Sequence, residues 1–98
     1  MSVAKAKQKD RAPELVTEMI GGEEYRYYPL GEWIVAAPGV CGGRPTIKGR
    51  RLDARHVIGS LNAGDSPQKV ARGYKLPLAA VEEAIALADV YDYEASYA

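Results

Sequence analysis

The segment DARHVIGSLNAGDSPQKVARGYKLPLAAVEEAIALAD, residues 53–89, decides the fold because it holds three consecutive helical patterns. The first helix follows Asp53, its predicted N-cap, with apolar residues spaced i, i+3, i+4 and i+7, and it ends at Gly64. Ser66-Pro67 opens a second, short helix as a cap followed by a first-turn proline. A third helix starts at Pro77 and carries one apolar stripe. The segment therefore predicts three packed helices.

Upstream of this segment the pattern changes to an alternation with a period of two, which is typical of half-buried strands. The pair Gly21-Gly22 predicts a turn between two strands. The predicted extended segments are Leu15–Ile20, Glu24–Tyr28, Trp33–Ala36 and Thr46–Leu52. A stretch rich in glycine and proline before the last of them is predicted to be a loop.

We predict a mainly α fold of the α+β kind, in which a C-terminal three-helix helix-turn-helix core follows a short N-terminal β-hairpin or strands. Residues 1–12 are small and charged without an apolar period, so they are predicted to be a disordered lead. Residues 13–98 are predicted to form a single domain, with strands at about 15–52 and helices at about 53–95. A plain three-helix core is the alternative to a helix-turn-helix.

The composition excludes several functional classes. The 98 residues contain one cysteine, Cys41, and one histidine, His56, which excludes an internal disulfide and leaves little for a histidine-based metal site or triad. No apolar run approaches the ~18 residues of a membrane helix, and no signal-peptide pattern opens the chain. We therefore expect a cytoplasmic protein that is not an enzyme, holds no cofactor or metal, and does not enter a membrane.

The charges cancel over the whole chain but are separated along it. Residues 44–75 contain eight basic and two acidic residues, whereas residues 76–98 contain five acidic and no basic residues. Such asymmetry is typical of a face that meets a polyanion or a charged protein. Two alternatives stay open: the basic face is simply solvated, or the acidic tail packs beside the basic segment and neutralises it.

The second and third helices, joined by a short turn, have the layout of a helix-turn-helix. The third helix is poorly suited to recognise DNA bases, because its first turn has no Arg, Asn or Gln. Glu82 and Glu83 would in addition repel the phosphates. Contacts with double-stranded DNA are therefore expected from the basic segment. The candidate DNA-binding residues are Arg44, Lys48, Arg50, Arg51, Arg55, Lys69 and Arg72.

Aromatic residues on the predicted strands offer a different polyanion site. The rings of Tyr25, Tyr27, Tyr28 and Trp33 could stack the bases of a single-stranded nucleic acid. Acidic residues outnumber the single basic residue, Arg26, in this region, so packing in the core or in a dimer is the favoured use of these rings.

The stretch PGVCGGRPTIKGRRL, residues 38–52, closely resembles the signature of the DUF433 family. Members typically show a Gly-Gly-Lys/Arg-Pro-x-Ile-x-Gly-Thr-Arg-Ile run, followed by a helix ending in glycine and a Ser-Pro cap. The resemblance covers roughly residues 33–91. Two positions depart from the pattern, since Arg50 replaces the usual threonine and Asp53 stands where proline is common.

This resemblance implies a homeodomain-like helix-turn-helix fold and, in many members, the role of VapB45-like antitoxins. Such antitoxins form homodimers, bind a PIN-like ribonuclease toxin, and repress their own promoter by binding operator DNA. The acidic C-terminal helix would then cover the basic RNA-binding face of a toxin. The candidate partner-binding residues are Glu82, Glu83, Asp89, Tyr91 and Asp92. The alternatives are a stand-alone helix-turn-helix transcription regulator and a non-catalytic dimerisation or scaffold module.

Overall fold

The computed structural model describes residues 14–98, so the predicted disordered lead, residues 1–12, lies outside the described residues. Four strands come first along the chain and three helices follow. The elements are β1 (Val16–Ile20), β2 (Glu23–Pro29), β3 (Ile34–Ala36), β4 (Thr46–Ile47), α1 (Ala54–Asn62), α2 (Pro67–Tyr74) and α3 (Leu78–Leu87). No helix within the described residues is long and apolar enough to cross a membrane.

The four strands form one antiparallel sheet in the order β1-β2-β3-β4. The fold is therefore α+β, and the prediction of a mainly α fold with only a short hairpin or strands was wrong. The order of strands before three helices was right. All four strands lie within or overlap predicted extended segments, but their pairing into one sheet was not predicted. β3 and β4 are only three and two residues long and fully buried, so neither shows an alternating pattern from which its pairing could be inferred.

The β1–β2 hairpin closes through a two-residue turn at Gly21-Gly22, as predicted. Both glycines have positive φ angles, 60° and 83°, which a tight hairpin turn with the right-handed twist of its strands requires. The register runs from Ile20 opposite Glu23 to Val16 opposite Tyr27. This register turns Tyr27 into the domain, where it is buried.

The segment after β4 is a tight loop, and the predicted extended run to Leu52 was wrong beyond Ile47. The chain reverses at Gly49, whose φ is 77°, and the Arg50 N–H donates to the Ile47 carbonyl at 2.9 Å. The Leu52 carbonyl then accepts from the Ile47 N–H at 3.0 Å and from the buried Thr46 Oγ1 at 2.7 Å. This loop brings the start of α1 back against the sheet.

The main core lies between the short strands and the three helices. Ile34, Ile47, Val57 and Val81 are fully buried there, each contributing about 1.5–3 kcal/mol through removal of apolar surface from water. A second, smaller cluster of Tyr27, Val35 and Ala37 packs on the other side of β3. Because β3 is buried on both faces, it is the central strand around which the domain is organised.

The helix ends agree with the sequence in one case and differ in another. Ser66 caps α2 as predicted, because its Oγ accepts from the Lys69 N–H at 3.1 Å. Asp53 stands at the N-cap of α1 but its side chain makes no capping hydrogen bond, so its predicted role was wrong. Lys75 ends α2 in the left-handed conformation, with a φ of 58°. The connection to α3 is therefore compact, and α3 itself ends at Leu87.

Candidate functional site

Glu83 of α3 is bound to the chain segment that enters β3. Its Oε1 accepts hydrogen bonds from the backbone N–H groups of Trp33 (2.6 Å) and Ile34 (2.8 Å), and its Oε2 accepts one from Glu32 (2.9 Å). Gly31 leaves the space for this carboxylate, since a Cβ there would lie 2.6 Å from Oε1. The predicted partner-binding residue Glu83 is thus used inside the domain, where it fixes α3 to the sheet.

This anchor determines which face of α3 is turned outward. We call the exposed side chains of Leu78, Glu82, Ile85, Asp89 and Val90 the α3 outer face. The three aliphatic side chains are 36%, 43% and 64% exposed, respectively, and Glu82 and Asp89 lie between them. Positions 78, 82 and 85 follow helical spacing on α3, and Asp89 and Val90 lie in the turn directly after its end at Leu87. The α3 outer face therefore has both apolar and acidic character.

The other two predicted partner-binding residues, Tyr91 and Asp92, lie in a C-terminal turn rather than on the α3 outer face. Tyr91 is half-buried and packs edge-on against Tyr97, with 5.4 Å between ring centroids. The Asp92 Oδ1 accepts from the Glu94 N–H at 2.9 Å, and the Asp92 N–H donates to the Tyr97 hydroxyl, also at 2.9 Å. Both residues shape the turn that brings the end of the chain back onto the domain.

The C-terminal segment, residues 91–98, packs on the single 3₁₀ turn Cys41–Gly43. The Tyr97 N–H donates to the Gly43 carbonyl at 2.8 Å, and a Cβ at Gly43 would lie 2.5 Å from the Ser96 hydroxyl. Tyr93 attaches the segment to α3, because its buried hydroxyl donates to the Ala84 carbonyl at 2.7 Å. Burial, and secondarily the charge of Glu83, raises the pKa of Tyr93 to about 12.

The buried carboxylate of Asp53 holds two of the predicted DNA-binding residues. Arg44 donates to both of its oxygens, at 3.3 and 3.1 Å, and Arg55 places its Nε 3.6 Å from Oδ2. The hydrogen bonds that Arg44 donates to Asp53 raise the pKa of Arg44. Arg55 also pairs with Glu94 of the C-terminal segment at 2.7 Å. At this point the acidic tail does pack beside the basic segment and neutralises it, which was one of the two alternatives.

Lys48 and Lys69 form ion pairs in two other parts of the domain. Lys48 lies 2.7 Å from Glu18 of β1 and 5.0 Å from the Tyr27 ring centroid. The hydrogen bonds with Lys48 and, secondarily, Tyr27 lower the pKa of Glu18, and the bond with Glu18 raises the pKa of Lys48. Lys69 lies 3.3 Å from Asp65 at the start of α2. The structure therefore pairs four of the seven predicted DNA-binding residues with acidic side chains: Arg44, Lys48, Arg55 and Lys69.

Residues 34–88 match the family described as "Protein of unknown function (DUF433)", from the first residue of β3 to just past the end of α3. The chain belongs to the DUF433 family. Neither the curated proteins nor the solved structures compared with the chain include a significant match. The β1–β2 hairpin and the C-terminal segment lie outside the part of the chain that matches DUF433.

The two departures from the usual DUF433 pattern have structural uses here. Arg50, in place of threonine, donates to the carbonyls of Tyr74 (2.6 Å) and Lys75 (3.2 Å), where α2 ends and leaves carbonyls unpaired. Asp53, in place of proline, supplies the carboxylate for Arg44. Both departures therefore stabilise the junctions of the helices.

Of the predicted DNA-binding residues of this DUF433 protein, three remain exposed without an ion-pair partner among residues 14–98: Arg50, Arg51 and Arg72. Arg50 is held by the backbone carbonyls at the end of α2, as described above. Tyr27 and Trp33 of the aromatic set pack against the two core clusters. In the described part of the chain, no group of three His, Cys, Asp or Glu residues could hold a metal ion. The functional features that sequence reasoning missed are the Glu83 anchor and the C-terminal contact with Gly43.

Proposed function

We propose that this DUF433 protein is an antitoxin-like binding protein that covers the basic RNA-binding face of a PIN-like ribonuclease with its α3 outer face. The observation that supports the proposal most is the pattern of that face. Leu78 and Ile85 are exposed on a helix whose first turn would meet DNA in a helix-turn-helix protein, and Glu82 lies between them.

Such a face is unsuited to nucleic acid. Reading of bases requires donors and acceptors such as Arg, Asn or Gln at the start of the second helix, and α3 begins Leu78-Ala79-Ala80. Glu82 and Asp89 would repel phosphates, whose neutralisation by Lys and Arg provides most of the affinity for DNA. The same features favour a basic protein surface.

Apolar anchors surrounded by acidic residues are typical of an interface with a basic partner. Burial of apolar side chains supplies affinity at about 25 cal/mol per Å², and opposite charges steer association. No basic residue occurs between positions 76 and 98, so no positive charge in this part of the chain would repel a basic partner. A ribonuclease must expose cationic side chains to hold RNA, and it therefore presents the surface that this face complements.

The test is to recover the full-length tagged chain from its native host after nuclease treatment and to identify its bound protein by mass spectrometry. The recovered protein is then assayed on RNA with increasing amounts of the chain. The proposal expects a ribonuclease that is inhibited at a stoichiometric ratio. A partner without ribonuclease activity, or one that remains active in the complex, would contradict it.

A second function, a DNA-binding transcription regulator, is favoured by Arg51 and Arg72, which are exposed and unpaired within residues 14–98. If the chain binds DNA in this way, the logarithm of its DNA affinity should fall linearly with the logarithm of salt concentration. The slope of this line should decrease by about one for each phosphate contact that is lost. The variants Arg51→Ala and Arg72→Ala should therefore lower both affinity and slope, and unchanged binding would exclude these residues.

A further inference from the structure

The strand β1 lies at the edge of the sheet, and the side chains on its exposed face are uncharged. β2 is its only neighbouring strand in the described part of the chain. The side chains of Leu15, Thr17 and Met19 point outward, and Leu15 and Met19 are 39% and 69% exposed. Proteins usually protect such edges with charges, prolines or bulges, because unpaired backbone groups recruit other strands. None of the three outward side chains provides this protection.

The hairpin register shows which backbone groups of β1 are unpaired. In a hairpin with a two-residue turn, the flanking pair, here Ile20 and Glu23, exchanges hydrogen bonds, and bonded pairs then alternate along the strands. Glu18 and Val16 therefore direct their N–H and C=O groups toward β2. Thr17 and Met19 direct theirs away from the sheet, and these groups make no other backbone hydrogen bond among residues 14–98.

We propose that two copies of this chain associate through their β1 strands, antiparallel, with Thr17 of one copy opposite Thr17 of the other. The two four-stranded sheets then become one continuous sheet of eight strands. The backbone groups of Thr17 at the edge then pair with those of Thr17 in the other copy, and those of Met19 pair with those of Leu15, the residue just before β1. This adds about six backbone hydrogen bonds, two for each directly opposed pair.

The chemistry of the edge favours a second copy as its occupant. Pro13 has no N–H to donate and Gly21 begins the turn, so the usable edge is residues 14–20, whose centre is Thr17. In the register centred there, Leu15 lies opposite Met19, so the exposed apolar side chains cover each other. The edge is thus complementary to itself in its backbone hydrogen-bonding groups and its apolar side chains.

The charges on the inner side of β1 are compatible with the same register. Glu18 lies opposite Val16 of the second copy, so no two glutamates face each other directly. The carboxylate of Glu18 is moreover held by Lys48 at 2.7 Å and by the Tyr27 hydroxyl at 2.9 Å within its own copy. Glu18 is therefore not a free charge that would oppose the pairing of a second strand with β1.

Cysteine cross-linking tests the register in the full-length chain, with Cys41→Ser as background. Residues opposite each other in a hydrogen-bonded antiparallel pair have Cα atoms about 5.5 Å apart, within reach of a disulfide. Thr17→Cys should therefore give a disulfide-linked dimer under mild oxidation. Met19→Cys is the matched control, because its equivalent in the second copy lies four residues along the strand, more than about 10 Å away.

Mixing two variants sharpens the test. Leu15→Cys and Met19→Cys alone should remain unlinked, whereas their mixture should form the mixed disulfide. Light scattering should give twice the 10.6 kDa mass of one chain for the unmodified protein, and Thr17→Pro, which removes an outward N–H, should shift it toward the monomer. A monomer at every concentration, or equal linking of Thr17→Cys and Met19→Cys, would overturn the proposal. The α3 outer face plays no part in these results, so they are independent of ribonuclease binding.

Discussion

Glu83 and Trp33 are fifty residues apart in the sequence, and the Glu83 carboxylate accepts the Trp33 backbone N–H at 2.6 Å. Two further N–H groups, of Glu32 and Ile34, bind the same carboxylate. One side chain thereby satisfies three donors of the segment that leads into the central strand β3. The orientation of α3, and with it the exposure of its outer face, depends on this contact.

We expect Glu83→Gln to destabilise the domain. The amide keeps only one acceptor oxygen and turns an N–H toward backbone donors, so unfolding free energy should fall by about 2–3 kcal/mol, as for hydrogen bonds to charged groups. Urea denaturation measures the loss. Glu82→Gln is the matched control because Glu82 is exposed, and it should change the unfolding free energy by less than about 0.5 kcal/mol. Equal effects of the two substitutions would contradict the assigned role of Glu83.

The contact between Gly43 and the C-terminal segment predicts a difference between two glycine substitutions. Gly43 and Gly39 both have a φ of 80°, so alanine at either costs about 1–2 kcal/mol in backbone strain. Only at Gly43 would the added Cβ clash, 2.5 Å from Ser96 Oγ, whereas nothing lies within 4 Å at Gly39. Gly43→Ala should therefore also release the C-terminal segment. Hydrogen exchange at the Tyr97 amide should accelerate in Gly43→Ala and stay unchanged in Gly39→Ala.

The buried hydroxyl of Tyr93 predicts a high-pH transition. Its pKa is raised from 10.0 to about 12, so the folded chain keeps this proton over a pH range in which the unfolded chain loses it. The stabilisation is complete below pH 10 and is lost as the pH rises toward 12. Absorbance titration at the tyrosinate band should show a step near pH 12 in the unmodified protein that Tyr93→Phe removes. A difference spectrum with its midpoint at pH 10 would show that Tyr93 is not buried in solution.

If the α3 outer face binds the proposed ribonuclease, the association should depend on charge. Glu82→Lys should weaken binding about tenfold, equivalent to about 1.4 kcal/mol, and the loss should shrink as salt is added. Glu23→Lys makes the same charge change at an exposed position on the hairpin and serves as the control. Isothermal titration calorimetry compares the two. If Glu82→Lys and Glu23→Lys weaken binding equally, the affinity depends on the net charge of the chain and not on the α3 outer face.

Local signals in the sequence predicted the parts of the fold that are locally determined. Ser66-Pro67 marks the start of α2 and Gly21-Gly22 marks the hairpin turn, because each conformation depends on residues a few positions apart. The sequence predicted extended segments at β3 and β4 but not that all four strands pair into one sheet, because β3 and β4 are short and fully buried. Their pairing depends on contacts with helices that come later in the chain.

The candidate site was predictable only in part, for a similar reason. The acidic character of the C-terminal region and its exposed Glu82 and Asp89 follow from the sequence. The adjacent Glu82 and Glu83 look alike in sequence, yet only the second reaches the backbone near β3. Asp53 likewise looks like a helix cap in the sequence, but its carboxylate forms an ion pair with Arg44. Contacts across the domain decided both cases, and a local pattern does not encode them.

The most direct test of the account is ribonuclease inhibition by the full-length chain and by two double variants. Glu82→Lys with Ile85→Lys alters the α3 outer face, and Glu23→Lys with Gln68→Lys makes the same change of charge at two exposed positions outside α3 and β1. We predict that the unmodified chain and this control variant abolish RNA cleavage by the co-purified partner at a stoichiometric ratio, while the α3 variant leaves cleavage active. Full inhibition by the α3 variant would contradict the central claim.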